Sequence, residues 1–226
     1  MAGEKNRTTR KEWNTVCFTG HRIISAAEIP QIRQRLQVII RDCYVRGGYR
    51  WFICGGALGF DTLAAREVLA AKTEYPDIRL LLAIPCADQA ACWNDRDRMQ
   101  YQEIRELADD EIVLSPHYYK GCMHLRNQFM VHHSSVCICY LRRFSGGTGY
   151  TVRYALSCQR EVINLCLPDS GFPVRVREPS WNFTYIFPSV SANVLTVRSI
   201  PIPAAAGRKW NGISMRFSGK RPAVRN

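Results

Sequence analysis

No apolar run in this chain reaches the roughly 20 residues of helix needed to cross a bilayer. The opening stretch, 1–10, is polar and basic and lacks the apolar core of a secretory signal. These two absences lead to the expectation of a cytoplasmic protein with no membrane partner. No CxxC pair occurs among the ten cysteines, and Cys17, Cys43, Cys54, Cys137, Cys139 and Cys166 sit among aliphatic neighbours. They read as reduced core thiols, which behave as small hydrophobes. His117, Cys122, His124, His132 and His133 lie close in sequence but lack paired ligand spacing, so no metal is assigned. The chain also lacks a GxGxxG fingerprint, a Walker lysine, an internal repeat, and any Ser–His–Asp set or carboxylate pair that would mark a catalytic centre. No catalytic residue and no cofactor are therefore assigned. Acidic residues are the scarcer charge, 19 against 31 Lys and Arg, for a net charge of +12. From Pro168 onward there are nine Lys/Arg and two Asp/Glu, so much of the excess belongs to the tail. The remainder suits small anions, and any nucleic-acid contact is expected mainly through the tail.

What is present is glycine in two places. Cys54-Gly55-Gly56-Ala57-Leu58-Gly59-Phe60-Asp61 and Ser145-Gly146-Gly147-Thr148-Gly149-Tyr150-Thr151 each follow a short apolar run and precede helical spacing. A strand, a glycine turn and a helix start make an anion cradle, because free N–H groups and the helix dipole converge there. Strands are predicted over 16–19, 51–54, 78–84, 112–114, 136–141 and 162–167. Helices are predicted over 29–43, 63–71, 90–107, 123–133 and 151–158. This alternation of apolar strands with helices predicts an α/β fold, a Rossmann-like parallel sheet with helices on both faces. The expected organisation is a disordered arm over 1–13, the ligand-binding domain over 14–167, and a loosely ordered, basic, proline-broken extension over 168–226. In such sheets ligands sit at the carboxyl ends of the strands, at the topological switch point, and the polar punctuation here follows the strands.

Along that rim the candidates are Gly20, His21 and Arg22 after the first strand; Gly55, Gly56, Gly59 and Asp61 at the first loop; Arg126 and Asn127; and Gly146, Gly147, Thr148 and Thr151 at the second loop. Asp61 would repel a phosphate, so the first loop is expected to face a ribose hydroxyl or a base amine, unless Asp61 only caps its helix. The second loop has no acid near it and is the better phosphate seat, unless it is a plain left-handed turn. Arg126 offers a fork suited to phosphate; the alternative is a solvent-exposed arginine. His21 is either a ligand contact or a capping or core histidine. Trp93 either stacks on a base or belongs to a charged helix start.

Taken together, Cys17-Phe18-Thr19-Gly20-His21-Arg22, Ile53-Cys54-Gly55-Gly56-Ala57-Leu58-Gly59-Phe60-Asp61-Thr62-Leu63-Ala64, Leu82-Ala83-Ile84-Pro85-Cys86, Gly121-Cys122-Met123, Arg126-Asn127 and Gly146-Gly147-Thr148-Gly149-Tyr150-Thr151-Val152-Arg153-Tyr154-Ala155 resemble the YpsA-like (DUF1273) branch of the SLOG superfamily. The resemblance runs from about Asn14 to Leu167 and does not cover the tail. It implies a binder or sensor of a nucleotide or nucleotide-derived ligand, and it is compatible with a homodimer. The superfamily also includes phosphoribohydrolases and the DNA-processing protein DprA, which gives two alternatives: a nucleoside-phosphate hydrolase and a nucleic-acid binder. The hydrolase branch carries GGxGTxxE. This chain places Tyr150 and Arg153 where that pattern has its threonine and glutamate, a departure that speaks against hydrolysis and favours holding a phosphate.

Overall fold

The structure, a computed structural model, describes residues 14–166; the arm expected over 1–13 and the extension expected over 168–226 lie outside the described residues. The chain alternates strand and helix throughout: β1 (Thr15–Gly20), α1 (Ile29–Val45), β2 (Trp51–Cys54), α2 (Phe60–Ala71), β3 (Arg79–Ile84), α3 (Asp95–Leu107), β4 (Asp110–Val113), α4 (Cys122–His132), β5 (Val136–Tyr140), α5 (Gly146–Ser157) and β6 (Glu161–Asn164). The strands form one sheet in the order β4-β3-β2-β1-β5-β6, with every neighbouring pair parallel. This is the Rossmann-like α/β architecture that the alternation implied.

Side chains alternate across the pleat, so each strand feeds two cores. Phe18, Phe52, Leu80, Leu82 and Ile138 face one way and pack with Leu36, Ile39 and Ile40 of α1, Val68 of α2 and Ile104 of α3. Cys17, Ile53, Leu81, Cys137 and Val162 face the other way and pack with Phe129 and Met130 of α4 and Val152 of α5. Burying each large aliphatic or aromatic side chain is worth about 1.5–3 kcal/mol, so the two cores account for the double-sided apolarity of the strands. All ten cysteines are free thiols, and burial pushes Cys43, Cys54 and Cys139 above the usual thiol range. Among the described residues no helix is long and apolar enough to cross a membrane.

The chain runs outward from β1 to β4 and then returns to place β5 on the opposite side of β1. That reversal is the switch point. Right-handed crossovers put α1, α2 and α3 on one face and α4 and α5 on the other, as the helix contacts confirm.

Three helix starts differ from the sequence expectation by three residues or more, the helix expected over 63–71 beginning at Phe60. The helix expected over 90–107 begins at Asp95, because the Asn94 side chain accepts from the Asp97 N–H at 2.9 Å and sets the N-terminus there. The helix expected over 151–158 begins at Gly146. The glycines that read as a turn form its first turn, with only Gly146 in the left-handed region at φ 67°.

Candidate functional site

The carboxyl ends of β1, β2 and β5 meet at the switch point, and both glycine loops are there. The two loops are built differently. At the first, Gly55 and Gly56 are buried. Arg126 of α4 reaches across and donates from Nη1 to the Gly55 carbonyl, and its Nε donates to Asn127 Oδ1 at 2.8 Å. A Cβ on Gly55 would fall inside the Arg126 guanidinium and 2.7 Å from Asp61 Oδ2. Gly55 is glycine because Arg126 occupies its side-chain space.

Asp61 borders the same space beside Gly55 and is 4% exposed. Its Oδ2 accepts from the Ala57 N–H at 3.5 Å. Burial raises its pKa, against the opposing pull of Arg126 and the Ala57 and Gly55 amides. Asp61 therefore braces the first loop from beneath. The N-terminus of α2 is further occupied by the His21 carbonyl, which accepts from the Phe60 N–H at 3.1 Å. Gly56, at φ 63°, accepts from Gln89 Nε2 at 2.9 Å through its carbonyl, and a Cβ there would stand 3.0 Å from the side chains of Ile84 and Tyr101. Gln89 and Tyr101 were not singled out from the sequence, because neither belongs to a glycine loop.

Arg126 is only 6% exposed, and among the described residues it forms no ion pair within 4.0 Å. Burial lowers its pKa, Asp61 works against this, and the nearby Arg22 adds to it. Its Nη2 has no hydrogen-bond partner among the described residues and is not sealed from solvent. The same holds for Asn127 Nδ2 and Thr148 Oγ1, on residues that are each 8% exposed. The sequence offers Arg126 as a fork suited to phosphate, without saying which loop it serves. The structure seats it against the first, because a helix packed over β3 points its side chain at the end of β2.

The second loop is open. Gly146 and Gly147 are exposed, and a Cβ on either would meet nothing within 4 Å. The first N–H groups of α5 have no intrahelical partner. Thr151 is fully buried and donates its hydroxyl to the Gly147 carbonyl at 2.8 Å, so it supports the loop from within rather than lining it. Arg153, in the hydrolase glutamate's place, donates to the Phe144 carbonyl at 2.7 Å. Trp93 packs edge-on against Tyr101, with ring centroids 5.2 Å apart, and lies partly buried against the core.

His21 joins the two sides of the switch point. Its Nε2 accepts the Arg142 N–H at 2.9 Å, which requires the neutral ring. Burial, then Arg142 and Arg143, lower its pKa. A histidine with a depressed folded pKa stabilises the protein above the unfolded value, near 6.5, and that contribution is lost as pH falls through the folded value. A His21→Gln variant keeps an acceptor that does not titrate. Thermal melts at pH 7 and pH 5 are expected to show the wild type losing more melting temperature than the variant. Equal losses would show that His21 does not carry this term.

Gly59 caps α2 at φ 79°, and a Cβ there would overlap the Arg22 backbone. Gly59→Ala is expected to cost about 1–2 kcal/mol from the left-handed conformation, before the overlap is counted. Chemical denaturation measures it, and a loss below about 0.5 kcal/mol would show that the 20–23 turn yields freely.

Two open clefts elsewhere, of about 390 and 360 Å³, lie beside α1 and α2. The buried Glu67 between them is satisfied by Arg33 Nε at 2.6 Å and Gln37 Nε2 at 2.8 Å. No orphaned polar group calls for a ligand there. Among the described residues no three metal-ligating side chains converge.

The family model described as YspA SLOG family (YpsA) matches residues 19–163. This chain belongs to that family. The match spans β1 to β6 and so contains both glycine loops and Arg126. The chain is 31% identical over 96 residues to a UPF0398 protein of Levilactobacillus brevis, covering 42% of this chain and 51% of the relative. It is 28% identical over 120 residues to UPF0398 protein BH1768 of Halalkalibacterium halodurans, covering 52% and 64%. The chain thus spans between about half and two thirds of the length of these curated relatives. Among solved structures it is similar to DNA processing protein A of Streptococcus pneumoniae, at TM-score 0.47 and 18% identity, covering 66% of this chain and 48% of that one. It is also similar to DNA processing protein A of Helicobacter pylori, a structure described for its single-stranded DNA binding mode, at TM-score 0.48 and 18% identity, covering 66% and 63%.

Proposed function

We propose that this YpsA SLOG family protein binds a nucleotide or nucleotide-derived small molecule at the switch-point rim. The observation that carries the reading is Arg126: a guanidinium nine-tenths buried, with no ion pair among the described residues and one nitrogen left without a partner. Asp61 is the nearby acid, but it lies outside ion-pair distance and accepts from the Ala57 amide, so a ligand anion would complete the neutralisation of this buried cation. Arg22, close enough to act on Arg126 electrostatically, strengthens the demand for an anion. Asn127 Nδ2 and Thr148 Oγ1 add hydrogen-bonding capacity, and the open amides of Gly147 and Thr148 add a second anion seat. In this reading the second loop with Arg126 and Arg22 takes phosphate, while Gly20, His21, Gly55, Gly56, Gly59 and Asp61 hold the rim in shape.

Hydrolysis is not favoured. Asp61, the acid of the first loop, is committed to the loop amides, and Arg153 is tied to Phe144. Nucleic-acid binding through the basic tail falls on residues outside those described.

The test is a thermal-shift and calorimetric screen of the full chain and Gly147→Asp against nucleoside phosphates, ADP-ribose and dinucleotides. Gly147 has open space for a side chain, so the variant is expected to fold. Its carboxylate would stand over the amides that receive phosphate. A ligand at 100 times its Kd raises stability by about 2.7 kcal/mol. A shift in the wild type that disappears in Gly147→Asp supports the reading. A shift equal in both proteins excludes the second loop as the phosphate seat.

A further inference from the structure

Two buried thiols belong to neither apolar core. Cys43 and Cys54 pack in one core, and Cys17, Cys137 and Cys139 pack in the other. Cys86 and Cys122 are 0% and 1% exposed, but they sit at the rim. Cys86 lies two residues past the end of β3, and Cys122 is the first residue of α4. The two segments are laced together. The Ala87 N–H donates to the Ser115 carbonyl at 3.0 Å, and the Tyr118 N–H donates to Asp88 Oδ2 at 3.2 Å. The Cys122 N–H donates to the Tyr119 carbonyl at 3.1 Å and closes the turn into α4. Across this seam the two thiols are hydrogen-bonded to each other. The Cys86 S–H donates to the Asp88 carboxylate, which leaves the Cys122 S–H to donate to the Cys86 sulfur.

Both thiols adjoin the candidate site. Cys122 stands one turn before Arg126 on α4, and its sulfur is close enough to act on the guanidinium electrostatically. The Cys86 carbonyl accepts from the Gln89 N–H at 3.1 Å, and the Gln89 side chain donates to the Gly56 carbonyl of the first loop at 2.9 Å. The two sulfurs differ in surroundings. Burial, then the bond to Asp88, pushes the Cys86 thiol up to about 12. Cys122 opens a helix, whose first N–H groups lack partners and favour negative charge. The Tyr118 N–H and the Cys86 thiol hold the Asp88 carboxyl below the usual carboxylate range, so it stands ready to accept a proton.

We infer that Cys86 and Cys122 are a thiol–disulfide site, oxidised by hydrogen peroxide, that alters the anion seat at Arg126. Deprotonated Cys122 attacks one peroxide oxygen; the O–O bond breaks, Cys122 becomes a sulfenic acid, and the hydroxide released takes up the thiol proton as water. Cys86 then passes its proton to Asp88, and its sulfur attacks the Cys122 sulfur. An S–S bond forms, the S–O bond breaks, and the departing hydroxide collects the proton from Asp88 as a second water. Two thiols are oxidised by two electrons and one peroxide is reduced to two waters. Sulfurs in hydrogen-bond contact have only to close to the roughly 2.05 Å of a disulfide. That closure ties the start of α4 to the end of β3 and shifts the turn that seats Arg126. Cys17 and Cys137 also hydrogen-bond, but they pair across β1 and β5 inside an apolar core, where they stay reduced. The disulfide stands apart from the phosphate-binding reading above; its effect on a ligand rests on that reading.

Peptide mapping of the full chain after peroxide treatment, with free thiols alkylated as the protein is unfolded, tests the bond. A linked Cys86–Cys122 peptide is expected, removed by dithiothreitol, with Cys17 and Cys137 still alkylated. Cys86 and Cys122 both alkylated, or Cys122 carried on to sulfinic acid with no linked peptide, would overturn the proposal. Cys86→Ser keeps a donor for Asp88, and in that variant oxidation is expected to stop at a sulfenic acid on Cys122, trapped by a 1,3-dione. No trapped adduct on Cys122 would remove it as the attacking thiol. Calorimetry with AMP on the reduced and oxidised chains reads the coupling. Oxidation is expected to lower AMP affinity by roughly fivefold or more, and by linkage saturating AMP then makes the disulfide easier to reduce by the same factor. Equal affinities would overturn the effect on Arg126. AMP binding to neither form would remove the phosphate site, and with it that effect, while the linked peptide would keep the disulfide.

Discussion

Gly55→Ala is expected to lose both stability and ligand binding. The added carbon would occupy the space of the Arg126 guanidinium and press on Asp61. Neither neighbour is the loose end of an exposed side chain. Arg126 is anchored by the Gly55 carbonyl and Asn127, and Asp61 by the loop amides. Overpacking of this kind costs about 3 kcal/mol at the upper end of the usual range. The displaced guanidinium would also leave the anion seat, so affinity for a phosphate ligand falls by roughly 30-fold or more, as when one partner of a buried charge pair is removed. Denaturant melts and calorimetry on one preparation measure both. A variant with normal stability would mean that Arg126 does not rest on Gly55.

Arg126→Met separates the two effects. The methionine fills much of the stem volume and removes the charge. Ligand affinity is expected to fall by roughly 100-fold, since a buried cation facing an anion is lost. Stability is expected to move by no more than about 1–2 kcal/mol in either direction. The bonds to Gly55 and Asn127 go, but so does the burial of a cation with no ion pair, and exchange of buried charge for apolar volume is often neutral or better. Asp61, whose pKa burial already raises, then holds a proton more readily. A variant that unfolds outright would make Arg126 a structural strut. One that binds as well as the wild type would remove Arg126 from the site.

The sheet was legible because double-sided burial leaves an unmistakable pattern. Strands such as 136–140 are apolar at every position, and β5 is buried at every position. The rim was legible from the same pattern, since polar residues and glycines could only gather where the strands end. What the sequence did not reveal was the purpose of each glycine. Gly55 and Gly147 look alike in their loops. One is filled by an arginine from a helix 71 residues away along the chain, and the other faces open space. Spacing along a chain cannot tell them apart, because the difference depends on which helix crosses above. Thr151 differs for a related reason: its place after the glycines reads as a helix start, but the helix starts at Gly146, which turns its hydroxyl inward.

The most direct measurement of the central claim is a residue-resolved map of where a nucleoside monophosphate binds. Amide and arginine side-chain resonances of the full chain would be followed by NMR as AMP is added. The largest shifts are expected at the backbone amides of Gly147, Thr148 and Gly149 and at the Arg126 Nε–H, with smaller ones at Arg22. Shifts confined to the clefts beside α1 and α2, or shifts that leave Arg126 and the second loop unmoved, would contradict it.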